Sequence, residues 1–368
     1  NVYRGRRSSE ALPGGRHASL EYFGEDPMLY GGYVKGSNQS EADWTDVIRM
    51  TDALNNTPEE TYLEEVSKLV NIDQWLRVIS VMRLTGYHEY GLLTGDYSGD
   101  DYAMYRPVED PRFLMVPYDL DTMFLGAAAG GGLFPFFPVP TLKRLVDRPS
   151  VLRRFYMQLA DLVDNYITEE NIRPVLENLL GNVIEQTDID SIMEFLVKRG
   201  NFVRSLIASQ LTVVSKLPTT DSGIARTSDT TSGPLSGKTN ALQTSTVLVA
   251  GHPAEYFLVG GKTRNIGNWS SDGVPLRPGL NRLLVQAMDD VGNEIDRTFI
   301  DIWREGTAVN NVNGTIDTDT TWTATDSPYL VSGNLIVTAA AALTIEPGTT
   351  VFFADNARMT VQGQLIAE

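Results

Sequence analysis

With 368 residues, the chain exceeds one ordinary core and is expected to hold two or three domains. Its formal net charge of −17 argues against nucleic-acid binding and against docking on anionic lipid, which both rely on clustered Lys and Arg. The absence of cysteine excludes disulfide scaffolds, thiolate zinc sites and cysteine nucleophiles, and no apolar run approaches the roughly 20 residues of a membrane-spanning helix.

The chain starts at Asn1 and stops at GQLIAE without a polar tail. Both ends read as cut, so a longer parent protein is expected. The first fifty residues carry short aromatic pieces broken by Gly (NVYRGRR, ASLEYFG, YGGYVKG), which predict strands and turns. DWTDVIRMTDALNN predicts a short helix ending at Asn55-Asn56. TPEETYLEEVSKLV opens with Thr57 as N-cap, Pro58 at the first helical position and acids in the first turn, a strong helix start. Ile72, Trp75, Leu76, Ile79 and Met82 then recur at helical spacing. Between TGDYSGDD and PYDLD, the runs YAMY and LMVP predict two strands joined at EDPRF. Three amphipathic helices are predicted over 145–166, 168–185 and 189–211.

From 212 the helical period vanishes. KLPTTDSGIARTSDTTSGPLSGKTN reads as a linker or irregular edge. STVLVAG, AEYFLVGG, NRLLVQAMD and RTFIDIW are strand-like, with DDVGNE as a hairpin signal, and predict a small β-sandwich. After Gly306, short strands with Gly at their corners look like a parallel β-helix entering its first coils. The fold class is therefore multidomain, α+β then all-β.

The acidic segments carry the chemistry. Asp119 and Asp121 end the apolar strand LMVP one residue apart, on one side of the chain. Alone they repel; at the mouth of a site they can hold a hard cation together with phosphate oxygens. A second cluster, Asp96, Asp100 and Asp101, precedes the YAMY strand. An acidic loop, a hairpin and a further acid form one known layout for phosphoryl transfer. It predicts that the carboxylates of Asp96, Asp101 and Asp119 converge on one cleft. For a lone DxD at a strand end, a solvated turn is the more common role; the second cluster reverses that preference. His17, His88 and His252 are too few and too scattered for a multi-His metal site. GAAAGGG lacks the GK[ST] ending of a phosphate loop and reads as a flexible segment.

This stretch resembles the CotH kinase family. The resemblance rests on Gly95-Asp96, on Asp101 where the family has Asn, on YAMY, on VPYDLD where it has PWDLD, and on Phe124 and Gly126. It extends over residues 1–211, with NVYRG, LEYFG and YVKGSNQSEADW upstream and FLVKRGNFVRSLIASQL downstream. Tyr118 replaces the usual Trp, and Leu125 separates Phe124 from Gly126. The family's first half, with strands expected to cover the nucleotide, is missing, so the chain alone is expected to be inactive.

The resemblance implies an atypical kinase fold that uses Mg²⁺ or Mn²⁺ and ATP to phosphorylate a protein hydroxyl. It implies Asp96 as the catalytic acid–base residue, and Asp119, assisted by Asp101 and Asp121, as the metal ligands. Lys35 and Arg4 are the candidate phosphate contacts. Residues 212–305 resemble a fibronectin-type-III-like or bacterial Ig-like module, and 308–368 the start of a right-handed β-helix. Together these imply an exported bacterial protein at the cell surface, with a protein substrate or surface component as partner, no nucleic acid and no membrane insertion. The alternative is an inactive kinase fold serving surface adhesion.

Overall fold

The computed structural model describes the chain except residues 88, 90, 95–98, 125–132, 134–138, 208–209, 221–222, 258–265, 307–308 and 368. The chain divides into two compact units, one built mainly from Asn1–Ala208 and the other from Ser209–Phe257 with Gly267–Glu368.

In the first unit, α1 (Thr45–Asn56), α2 (Tyr62–Ser67), α3 (Ile72–Leu84), α4 (Gly91–Thr94), α5 (Pro140–Val146), α6 (Pro149–Asp161), α7 (Glu169–Leu180) and α8 (Gln186–Leu206) accompany a small antiparallel sheet. The strands β1 (Val2–Gly5), β2 (Tyr33–Lys35), β3 (Tyr102–Tyr105) and β4 (Leu114–Pro117) lie in the order β2-β1-β3-β4. The YAMY and LMVP strands thus form where their patterns predict. The sheet has one buried face. Tyr3 stands opposite Lys35 and Met104, and Met104 opposite Met115, so all four side chains share that face, where each is buried. Arg4, Val34, Ala103 and Val116 take the other face.

α1 starts where Asp43 accepts the Thr45 N–H at 2.9 Å, and it buries Val47, Ile48, Met50 and Leu54. The second predicted start is displaced. Pro58 to Thr61 form a turn, with Thr61 N–H donating to the Pro58 carbonyl at 3.3 Å, and α2 begins only at Tyr62. Glu59 is drawn away to Arg144, at 2.7 Å, and to Arg148.

α3 sets the geometry of the hairpin. Asn71 caps it by accepting the Gln74 N–H at 3.2 Å, and Trp75, Leu76, Ile79 and Met82 form its buried stripe. Its first turn is tied to the β4 side. The Trp75 Nε1–H donates to the Phe113 carbonyl at 2.9 Å, and the Gln74 side chain bonds both the N–H and the C=O of Met115 at 2.8 Å. β4 is a sheet edge, so the glutamine amide supplies the pairing that a further strand would give.

The second unit begins with two sheets sharing one apolar core. One holds β5 (Val214–Ser215), β7 (Leu235–Lys238), β10 (Glu255–Phe257) and β11 (Asn268–Ser271). The other holds β6 (Ala225–Thr227), β8 (Thr246–Val249), β9 (His252–Pro253), β12 (Gly279–Met288) and β13 (Glu294–Arg304). Leu235, Val247, Val249, Trp269, Val285 and Ile302 fill the space between them. The stretch expected to be a linker contributes β6, an edge strand, and β7, which pairs on both sides; β5 lies just before it. Its backbone is paired: Thr220 N–H donates to the Ile224 carbonyl and Arg226 N–H to the Pro218 carbonyl, both at 2.8 Å.

The remaining strands, β14 (Asn310–Ile316), β15 (Thr320–Trp322), β16 (Tyr329–Val337), β17 (Ala342–Ile345), β18 (Val351–Phe353), β19 (Arg358–Val361) and β20 (Gln364–Ala367), pair in parallel. Trp322 stacks on Tyr329 at 4.7 Å, beside buried Val331, Leu335, Val337 and Leu343. Among the described residues, no helix is long and apolar enough to cross a membrane.

Candidate active site

The register of the β3–β4 hairpin decides where the acids go. Tyr102 faces Pro117, so the residues just before β3 and just after β4 emerge at the same end of the hairpin. Those residues are Asp100 and Asp101 on one side, and Tyr118 and Asp119 on the other. Asp101 and Asp119 both take left-handed backbone conformations, with φ of 58° and 52°. Such conformations are uncommon outside glycine, cost free energy, and gather at functional sites.

The field at this end is negative. Burial, then the charges of Asp100 and Asp119, push the Asp101 carboxyl up to about 6, against the pull of Arg7. Burial and then the neighbouring Asp101, Asp119, Glu89 and Asp121 push the Tyr87 hydroxyl above its ordinary range. Asp101 and Asp119 are therefore electrostatic neighbours. Asp96, the third member, lies outside the described residues, as do His88 and the GAAAGGG segment. Asp121 is exposed in the turn that follows.

Asp100 has a different task. It is buried, and its carboxylate accepts the Arg7 Nε–H at 2.5 Å. It neutralises one arginine at the end of β1 instead of serving as a simple turn residue.

The tip is held from behind by the end of α3. The Tyr87 hydroxyl donates to the carbonyls of Asp119 and, at 3.3 Å, Tyr118. The Phe124 N–H donates to the Thr85 carbonyl at 3.0 Å, and the Phe124 ring meets Phe195 edge-on at 6.2 Å. Buried Arg199 of α8 donates to the carbonyls of Arg83 and Leu84 at the end of α3, and the Arg83 carbonyl also accepts the Gly86 N–H at 3.3 Å. Burial lowers the Arg199 guanidinium to about 10, and burial plus the charge of Arg199 does the same to Arg83.

The two candidate phosphate contacts separate. Arg4 lies on the open face, its guanidinium 4.0 Å from the centre of the Tyr118 ring. Lys35 lies on the buried face with Tyr3, 5.4 Å from the Trp44 ring, and among the described residues its ammonium has no hydrogen-bond partner. The sheet thus brings Arg4 to the acidic end and keeps Lys35 away from it.

Residues 16–190 match the CotH kinase protein family model. No curated protein matches the chain. The CotH match contains Asp96, Asp101, Asp119 and Asp121, and the whole α3–hairpin assembly. β1 and its arginines precede it.

Among the described residues, no group of three or more His, Asp or Glu side chains is arranged to hold a metal ion. The donor chemistry nonetheless suits one. Mg²⁺ binds through one or two carboxylates and completes its shell with water and phosphate oxygens. Asp101 and Asp119 offer two hard oxygen donors whose repulsion a cation relieves.

Replacing Asp101 by Asn tests this repulsion. Folded Asp101 keeps its proton up to about pH 6, whereas an unfolded carboxyl loses it near 3.8. Stability therefore falls as the pH rises between those values and stays low above them. Asp101→Asn should stabilise the metal-free protein at pH 7 by about 1–2 kcal/mol, a screened fraction of the full linkage. The gain should shrink toward pH 4 and when Mn²⁺ is added. Melting curves at pH 4.5 and 7, with and without Mn²⁺, would read it; a gain independent of pH would mean that charge is not the cause.

Proposed function

We propose that the first unit carries out metal-dependent phosphoryl transfer from ATP to a protein hydroxyl. The observation that carries this reading is the pair Asp101 and Asp119, delivered by hairpin register to one end within the CotH match, where the charge of Asp119 makes Asp101 harder to ionise. Asp119, with Asp101 and Asp121, holds Mg²⁺ or Mn²⁺, which offsets the charge of the phosphate oxygens. Asp96 orients the acceptor hydroxyl and takes its proton. The hydroxyl oxygen bonds to the γ-phosphorus, and the bond from that phosphorus to the bridging oxygen breaks. The electron pair leaves with ADP. Arg4 supplies a cation beside the site. In this reading the protein is exported and acts at the cell surface. Residues 212–305 form an Ig- or fibronectin-like spacer, and 308–368 the first coils of a β-helix.

A second reading is an inactive kinase fold used for adhesion. The extra negative charge of Asp101, where the family has Asn, favours it, as does the extent of parallel β-structure in the second unit. Calorimetric titration of the full-length protein with Mg²⁺·ATP separates the two readings, paired with transfer of labelled phosphate to casein. Nucleotide binding that requires the cation supports the kinase. No binding with or without cation leaves the adhesion reading.

A further inference from the structure

We propose that Arg4 and Arg6 form an oxyanion-binding subsite on the open face of the sheet, beside the acidic tip. Its existence is independent of the kinase reading; only the source of its ligand rests on it.

The placement follows from two ladders. Arg4 stands opposite Ala103 on β3, so extending that register past Gly5, where β1 ends, sets Arg6 level with Asp101. The β1–β2 pairing continues through Arg6, whose N–H donates to the Gly32 carbonyl at 2.9 Å. Arg6 therefore falls on the same face as Arg4. Arg7, one residue on, pairs with Asp100, as this alignment requires.

The three arginines are differently served. Arg7 has an acid. Arg4 and Arg6 have no ion pair and no side-chain hydrogen bond among the described residues, and the Nε of each is buried without a partner. A buried, unpaired guanidinium nitrogen bears the full loss of hydration. Acids are close by, yet Asp100 is bound to Arg7, and Asp101 and Asp119 face one another's charge. The Arg4 guanidinium also lies over the Tyr118 ring, 4.0 Å from its centre, reaching across the small Ala103. A guanidinium over an aromatic face keeps its N–H groups for hydrogen bonds, and its planar fork recognises phosphate or carboxylate. The chain has 47 acidic residues against 30 basic, so two unclaimed arginines beside the tip point to a ligand brought from outside.

The ligand is a phosphate or carboxylate oxyanion: a phosphate of the nucleotide, or an acidic side chain of the acceptor. Pyrophosphate with EDTA present is the first probe, since it needs neither metal nor catalysis. At low salt it should bind the full chain, and Arg4→Gln with Arg6→Gln together should weaken it at least tenfold. Arg49→Gln, which removes an exposed charge from α1, should leave it unchanged. Arg4→Lys and Arg6→Lys guard against loss of folding; each keeps the charge and the stem and should lose less than its glutamine counterpart. Displacement of pyrophosphate by ATP but not by an aspartate-rich serine peptide assigns the subsite to the nucleotide. The reverse assigns it to an acidic acceptor. Wild-type chain that ignores pyrophosphate, or a double variant that binds it undiminished, overturns the proposal. Asp119→Asn should not weaken pyrophosphate binding, so a failure of the metal reading would leave this result standing.

Discussion

Asp119→Asn should weaken Mn²⁺ binding at least tenfold, and Asp121→Asn less than threefold. The two residues differ in restraint. Asp119 is fixed in a left-handed conformation, with its carbonyl held by Tyr87, and its charge acts on Asp101. Both are exposed, but Asp121 lies in the following turn, and of the acids around Tyr87 it has the smallest influence. Asparagine tolerates left-handed backbone better than most residues, so Asp119→Asn removes charge with little cost to the turn. A unit charge about 4 Å from a cation is worth roughly 4 kcal/mol at an effective dielectric of 20, enough for more than tenfold even after screening. Titration of Mn²⁺ followed by its electron paramagnetic resonance would measure both variants. Equal and unimpaired binding would reduce the tip to a solvated turn, and loss in the Asp121 variant alone would exchange the two roles.

Trp75→Ala should destabilise the first unit by about 3–5 kcal/mol, the range for removing a large buried aromatic. Trp75 is fully buried and donates to the Phe113 carbonyl, which leads into β4. Trp75→Phe should cost much less. That carbonyl also accepts the Asn71 N–H at 3.1 Å, so it keeps one partner when the indole is gone. Urea unfolding followed by helical circular dichroism would read the difference. Similar losses for Ala and Phe would place the energy in the indole hydrogen bond instead of in ring packing.

Local patterns were the legible part of this chain. The caps and apolar spacing of α1 and α3 are written in their own residues, and so are the YAMY and LMVP strands. The two acidic clusters could also be seen, because the second, at the other end of the predicted hairpin pair in sequence, lifts the first above a common solvated turn. What could not be seen depends on register between distant segments. Opposite faces for Arg4 and Lys35 follow from Tyr3 pairing with Lys35, a match across more than thirty residues that no local period encodes. Tyr87 sits in TGYHEY with nothing to mark its reach to Asp119. The strands of the Ser/Thr-rich stretch were hidden for another reason: they are three and four residues long and alternate buried with solvated positions, so their composition resembles that of a loop.

α3 touches the hairpin at two places: near its start through Gln74 and Trp75, and just past its end through Thr85 and Tyr87. Its 13 residues span about 20 Å, and each residue turns the next by about 100°. The helix is therefore a gauge block for the distance from Phe113 to the acidic end. Adding or removing a single residue between the anchors would swing one set away from its partners, whatever residue was chosen. The turn between β3 and β4 has no such constraint, since loop length costs little and the ladder fixes both strands. Length variation in proteins built this way should accumulate in that turn and be excluded from α3.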